Sequence, residues 1–388
     1  MEKWIPGKVL LAEDSLRAAV RGKRIAMMVN GTAIHNDGRL LLDVIADEKW
    51  CEISFILGME HGVRCTFSAG EKDSSDVDEK TGIPILCLYD YPERRPPVSE
   101  LRSVDAVLFC AQDAGVRHWT FTPWMHYLLD AAAEAGCEVI IVDRPNPIGG
   151  VTVEGNLVEE KYLHTLLTGA GYPLRHGMTV GELALMYQAE HNLDLKRTVL
   201  KMEGWEREMF YSDTGLLWLP PTPNTPNPET FIDFATTGLL QSSNLSLGDH
   251  TLLPFKFIGR PEFSSEELAR ELNSRGLDDV YFAPRFYMSS TRWEKDVMMP
   301  CNGILSVYRD KKSFRPVRAQ LHLIDALAKL YSDVISFEYK PGWARKRMGT
   351  DDIYDRLESG RSVLDLIDKW SSDSEEFKKR RAPYLIYR

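Results

Sequence analysis

The sequence predicts an α/β protein: a parallel sheet with helices on both faces over residues 1–165, a bridging segment over 166–200 and a smaller α+β domain over 201–388. Two observations lead there. Short apolar runs alternate with amphipathic helical segments through the first 165 residues, and parallel strands need such crossover connections. Beyond residue 200 the texture changes, with Trp205, Trp218 and then residues 220–228, too rich in proline for a helix or a central strand.

The elements follow in order. Residues 23–30 read as a first strand, turning at Asn30-Gly31-Thr32, and residues 40–48 as a helix with Leu41, Leu42, Val44 and Ile45 on one face. Residues 53–57 are apolar except for Ser54 and stop at Gly58-Met59-Glu60-His61-Gly62, so a buried strand delivers a polar loop. Apolar runs at 83–88, 104–111 and 139–142 supply three more strands. Between the last two, Thr122-Pro123 opens a helix with Thr122 as its cap, Trp124, Leu128, Ala131, Ala132 and Ala135 inward, and Gly136 at its end. The polar stretch 64–82, with Ser74-Ser75-Asp76, is long for a structureless connection, and such loops are usually functional or disordered. Thr179 with Glu182 forms a capping box, as does Ser264 with Glu267. In the second domain, residues 318–330 form an amphipathic helix, and runs near Leu252, Val280 and 304–307 suggest strands. Residues 220–228 form a stiff loop, either an interdomain linker or one wall of a sugar site.

Composition narrows the function. An apolar fraction of 44%, a charged fraction of 27% and a formal net charge of -10 describe a globular protein with no nucleic-acid footprint. No apolar run reaches the roughly 18 residues of a membrane span. The first residues lack the features of a secretion signal, which leads to the expectation of a cytoplasmic protein, with export of a longer precursor left open. The six cysteines are scattered without metal-ligand spacing, and Cys87 and Cys110 lie in core runs. Neither metal nor cofactor is expected: His61, Asp113, His118 and His126 have no diagnostic spacing, and no G-x-G-x-x-G or Walker motif follows the first strand.

In a parallel sheet the loops after the strands emerge on one edge. That edge gathers Asn30, Glu60-His61, Tyr89-Asp90, Gln112-Asp113 with Arg117, and Asp143-Arg144 into one candidate site. With nucleotide and nucleophile motifs missing, carboxylate chemistry remains. Glycoside hydrolysis ordinarily takes an acid for the leaving oxygen and a second group at the anomeric centre. Glu60 suits the first role, and Glu71, Asp113 or the Tyr89 hydroxyl are the alternatives for the second.

Glu60-His61-Gly62, Ala69-Gly70-Glu71, Thr81-Gly82-Ile83-Pro84, the run from Gln112-Asp113 to Val116-Arg117, Asp143-Arg144-Pro145-Asn146-Pro147, Arg175-His176-Gly177-Met178-Thr179 and Pro223-Asn224-Thr225-Pro226 stand in the order seen in the DUF1343 family. The chain resembles that family, which is similar to exo-β-N-acetylmuramidases of the NamZ type, over nearly its whole length. The resemblance implies a Rossmann-like amino-terminal domain without nucleotide, a smaller carboxyl-terminal domain and a cleft between them. It also implies release of N-acetylmuramic acid from the non-reducing ends of peptidoglycan fragments, with Glu60 catalytic. His61, Arg64, Glu71, Gln112, Asp113 and Arg117 are carried over as cleft residues, and Tyr89, Arg144, Asn224 and Asn244 complete the candidate set. One segment departs: the family's E-G-T-N-x-S-x-G-R-G-T is here Gln241-Ser242-Ser243-Asn244-Leu245-Ser246-Leu247-Gly248-Asp249-His250-Thr251, losing an acid and a base. Two readings follow: a muramyl-saccharide glycosidase, or a binding protein for carbohydrate or anionic metabolites that keeps the scaffold without turnover.

Overall fold

The computed structural model describes residues 9–67, 71, 75–291, 294, 297–337 and 342–388. Residues 1–6, Ala69, Gly70 and Ser74, all named above, lie outside the described residues. Six parallel strands form the first sheet: β1 (Arg24–Val29), β2 (Glu52–Gly58), β3 (Ile85–Cys87), β4 (Ala106–Cys110), β5 (Glu138–Val142) and β6 (Arg197–Leu200). Their order is β3-β2-β1-β4-β5-β6. Five of these are the strands expected from the apolar runs. The sixth comes from the segment read as a bridge: its outer residues are only half-buried, so no continuous apolar run announces it.

Successive side chains of a strand point to opposite faces. Ala26 and Met28 of β1 therefore join one core while Ile25, Met27 and Val29 join the other. The first of these cores continues without a break into the carboxyl-terminal half, taking in Phe231, Phe282, Leu323 and Trp370. A second, antiparallel sheet sits there, with order β7-β9-β8: β7 (Phe257–Arg260), β8 (Val280–Ser289) and β9 (Met299–Tyr308). The helix Ser265–Asn273 packs on this sheet, and the helix Pro316–Tyr331 packs against that helix. Among the described residues no helix is long and apolar enough to cross a membrane.

Local signals hold at three helix ends, the predicted Ser264–Glu267 box only in its Ser264 half. Thr179 and Glu182 form the reciprocal capping box at the helix Val180–Glu190, Ser264 accepts from the Glu267 amide, and Gly136 closes its helix with φ +69°. Two expectations need correction. The helix opened by Thr122-Pro123 starts earlier, at Phe121, because the Thr122 hydroxyl donates to Asp113 Oδ1 (2.8 Å) instead of capping. No strand forms at Leu252, which is 90% exposed in a turn where the Thr251 amide bonds the Gly248 carbonyl; the strand begins beyond Pro254, at Phe257.

The two halves are tied by Arg117, expected above in the cleft but 2% exposed. Its guanidinium donates to the carbonyls of Asn156 (2.8 Å), Tyr172 (2.7 Å) and Met348 (2.7 Å). Burial pulls its pKa down to about 9, which still leaves it charged at neutral pH. Arg117→Met strands these buried acceptors. A loss of about 3 kcal/mol is expected, read as a lower midpoint in urea unfolding.

Candidate active site

A cavity of about 1450 Å³ opens where the loops after β2, β3 and β4 meet the carboxyl-terminal half. Glu60 and His61 enter from the loop after β2, Tyr89 from the turn after β3, and Trp119 and Thr120 from just before the helix Phe121–Ala135. The opposite wall is Thr222, Asn224 and Thr225 of the proline-rich loop, with Phe234, Gln241, Phe255, Lys346 and Arg347. The stiff loop is thus a wall of the cavity.

Glu60 is held by Thr120, whose hydroxyl donates to Oε2 at 2.6 Å. Thr120 occupies the position before the helix, and its side chain serves Glu60 rather than the helix amides. The Tyr89 phenol is pushed well above its ordinary pKa, first by burial and then by the negative charge of Glu60. It stays protonated at neutral pH and can donate a hydrogen bond. The Arg94 guanidinium lies 4.5 Å from the Tyr89 ring centre. His61 sits with φ +70° and places Nδ1 2.9 Å from the Phe67 carbonyl. His118 also borders the cavity, yet both ring nitrogens are sealed away without a hydrogen-bond partner among the described residues. Burial, helped by the charges of Arg347 and Arg117, lowers its pKa well below the usual value, so it is a neutral packing group.

Backbone strain concentrates here. Nine described non-glycine residues have left-handed φ, and five of them, His61, Glu93, Arg94, His164 and Phe255, line this cavity. Such conformations cost of order 1–3 kcal/mol each, persist only where the surrounding structure holds them, and cluster at functional sites.

Of the residues singled out from sequence, the cavity collects Glu60, His61, Tyr89 and Asn224. The others lie elsewhere. Glu71 is exposed and does not line the cavity. Asp113 is buried, its carboxylate accepting from the Gly115 amide and Thr122 and lying 3.3 Å from His176. Gly115, at φ +74°, must be glycine: a Cβ would come within 2.4 Å of Asn146. Gln112 donates to the carbonyls of Asp113 and Pro145, and Arg144 turns inward to Gln112 and the Tyr211 hydroxyl. Asn244 is stapled to residues 334 and 336 by its side chain. Gln112, Asp113 and Arg144 share the edge but point into the protein. Trp119, Thr120, Gln241 and Arg347 were missed; for Arg347 the signal was a basic cluster beside Trp343.

Arg64 is a clasp rather than a cleft residue. It donates to Asp78 (2.7 and 2.8 Å) and Asp43 (2.9 Å), closing the long loop that begins at Glu60 onto the helix Leu41–Asp47. The altered segment 241–251 touches the cavity only through Gln241, whose amide oxygen accepts from Arg347. Asp249, where the family has arginine, lies off the cavity, with its carbonyl accepting from Ser289.

Comparison with known proteins agrees with this architecture. Family models described as the amino-terminal and carboxyl-terminal parts of the exo-β-N-acetylmuramidase NamZ match residues 25–229 and 232–387. The chain belongs to the NamZ family. The peptidoglycan β-N-acetylmuramidase NamZ of Bacillus subtilis (strain 168) is 34% identical over 368 residues, covering 95% of this chain and 88% of that protein. Crystal structures of two DUF1343 family proteins from Bacteroides fragilis align with TM-scores of 0.88 and 0.78 at 28% and 27% identity. Each covers 98% of this chain and 99% of its own.

The clasp gives a pH signature. Burial alone would raise Asp43 and Asp78, but hydrogen bonds from Arg64, with Lys80 and Thr81, hold both below the usual carboxylate range. Their stabilisation is complete above the unfolded value near 3.9 and is lost as pH falls through the folded values. Arg64→Met should cost about 2 kcal/mol at pH 7, discounted for its part-exposed side chain. The gap from wild type in thermal unfolding should narrow towards pH 3.

Proposed function

We propose that this chain is an exo-acting β-N-acetylmuramidase that removes N-acetylmuramic acid from the non-reducing ends of peptidoglycan fragments. The observation that carries this reading is the shape of the cavity around Glu60. Beyond the start of the helix Phe121–Ala135 the deep end of the cavity is lined by buried Trp119, Thr225, Phe234, Gln241, Phe255 and Arg347, with exposed Trp343 and Lys346 at its rim. Along the helix, Tyr127, Asp130 and Ala133 are half-buried and Glu134 is exposed, so that side is open. A site closed on one side of its acid admits one terminal sugar and lets the remaining chain leave by the other. Buried Arg347, with exposed Lys346 at the rim, gives this end positive charge, which suits a sugar bearing a carboxylate.

In this reading Glu60, oriented by Thr120, protonates the glycosidic oxygen as the bond breaks; water supplies the hydroxyl that the anomeric carbon gains, and its other proton passes to solvent, from which Glu60 is reprotonated. Tyr89, kept protonated, contributes a hydrogen bond rather than a nucleophile. Asp130 is ten residues along the helix from Thr120, about 15 Å at 1.5 Å per residue.

Incubation with a muramyl-glucosamine disaccharide tests the reading. Wild type should release N-acetylmuramic acid, and Glu60→Gln should lose on the order of 100- to 10,000-fold in kcat. Failure of the wild type to release it sinks the enzyme reading, and equal release by both sinks the role of Glu60. Thr120→Val should lower kcat about tenfold with KM little changed and should displace the pH–rate profile. A merely structural role would instead lower the melting temperature and leave the profile in place.

A further inference from the structure

We propose that the open arm of the cavity, running along the helix Phe121–Ala135, binds several further sugars on the leaving-group side of Glu60. The enzyme would then prefer saccharide chains longer than a disaccharide. This goes beyond removal of a terminal sugar and rests on the muramidase reading above.

The cavity is larger than one sugar needs. At about 1450 Å³ it exceeds the roughly 300–1,000 Å³ of sites built for a single small ligand. Its length follows from the helix: Thr120, Tyr127, Asp130 and Glu134 all line it, at spacings of seven, three and four residues, which is one stripe of a helical surface. From Thr120, bonded to Glu60, to Glu134 is 14 residues, or about 21 Å of helix. The groove therefore starts at the acid and continues well past the first leaving sugar.

The far wall is Thr165, Leu166 and Leu193, drawn to the helix by the Tyr127 hydroxyl, which donates to the His164 carbonyl at 3.2 Å. Tyr91 and Arg94 form the third side. Glu93, Arg94 and His164 hold left-handed backbone at φ +56°, +57° and +59° along this arm, away from the closed end. The surface alternates ring or aliphatic faces (Tyr91, Tyr127, Leu166, Leu193) with polar groups (Arg94, Asp130, Thr165). That pattern matches a saccharide, whose rings offer an apolar C–H face and a rim of hydroxyls. Among the described residues no strand residue lines the cavity, so it offers no strand edge on which an extended peptide could pair.

The test measures kcat/KM on a peptide-free series, a chromogenic β-N-acetylmuramide, the muramyl-glucosamine disaccharide and the corresponding tetrasaccharide, beside a peptide-bearing tetrasaccharide. Wild type should favour the tetrasaccharide over the disaccharide by about tenfold. Tyr127→Ala and Leu166→Ser should each reduce that preference about fivefold while keeping hydrolysis of the chromogenic substrate. Leu166→Ser guards against misfolding of the helix variant, since Leu166 makes no hydrogen bond through its side chain. Release from the chromogenic substrate with equal kcat/KM for both saccharides overturns the arm and leaves the muramidase reading standing. Equal losses by both variants on all three substrates also overturn it. A length preference seen only when the tetrasaccharide carries peptides assigns the arm to peptide and overturns the saccharide proposal. No release from any substrate removes the muramidase reading and this inference with it.

Discussion

The buried guanidinium of Arg117 is the contact on which the arrangement of this protein depends. An arginine keeps its proton at physiological pH, so burying it demands acceptors. Here they are backbone carbonyls from three separate stretches, at Asn156, Tyr172 and Met348. The Met348 carbonyl also accepts from the Asn156 side chain at 3.0 Å, so the junction is doubly bonded. Met348 directly follows Lys346 and Arg347, and through it the loop after β4 sets where the closed end of the cavity lies. The same loop is rigid at its start, where Asp113 ties Gly115, Thr122 and His176 together. Its polar spelling encodes a brace.

The sheet order explains why the ligand space sits off-centre. In a sheet ordered 3-2-1-4-5-6 the usual crevice lies between β1 and β4, where the order reverses. That place is filled here: Asn30 Oδ1 accepts from the Thr32 amide and hydroxyl, Thr32 accepts from the Gln112 amide, and Gln112 accepts from Arg144. A chain of hydrogen-bonded side chains occupies the place where a pyrophosphate would lie. The open volume moves towards β2 and β3, where Glu60 and Tyr89 stand. The missing glycine-rich fingerprint and the displaced cavity have one cause.

Much of the first domain was legible because its signals are local. Apolar runs marked five strands, Thr179 with Glu182 marked a helix start, and Gly136 marked an end. Sequence also placed the polar loops on one edge. It does not say which way each side chain turns there, because that depends on partners distant in the chain. Arg117 finds Met348, 231 residues away, and Arg64 finds Asp43 and Asp78 across a loop. The same limit hid Thr120. Two threonines flank Phe121, either could cap a helix, and only the approach of Glu60 to Thr120 and of Asp113 to Thr122 distinguishes their work.

The segment 241–251 bears most directly on whether the scaffold keeps its chemistry. Its departures from the family pattern are unequal in consequence. Aspartate at 249 falls outside the cavity, within a tract fixed by Ser246, Ser289 and the bridge to Ser290. An exchange there changes the surface and leaves the walls of the site as they are. Glutamine at 241 is different, because its amide oxygen meets Arg347 at the closed end. A glutamate in that position would accept the same hydrogen bond and cancel the guanidinium charge. Glutamine keeps the bond but brings no counter-charge, so position 241 orients Arg347 without neutralising it. For a site that receives an acidic sugar, that exchange favours binding, since the attraction between guanidinium and carboxylate grows as competing negative charge is removed from a buried wall.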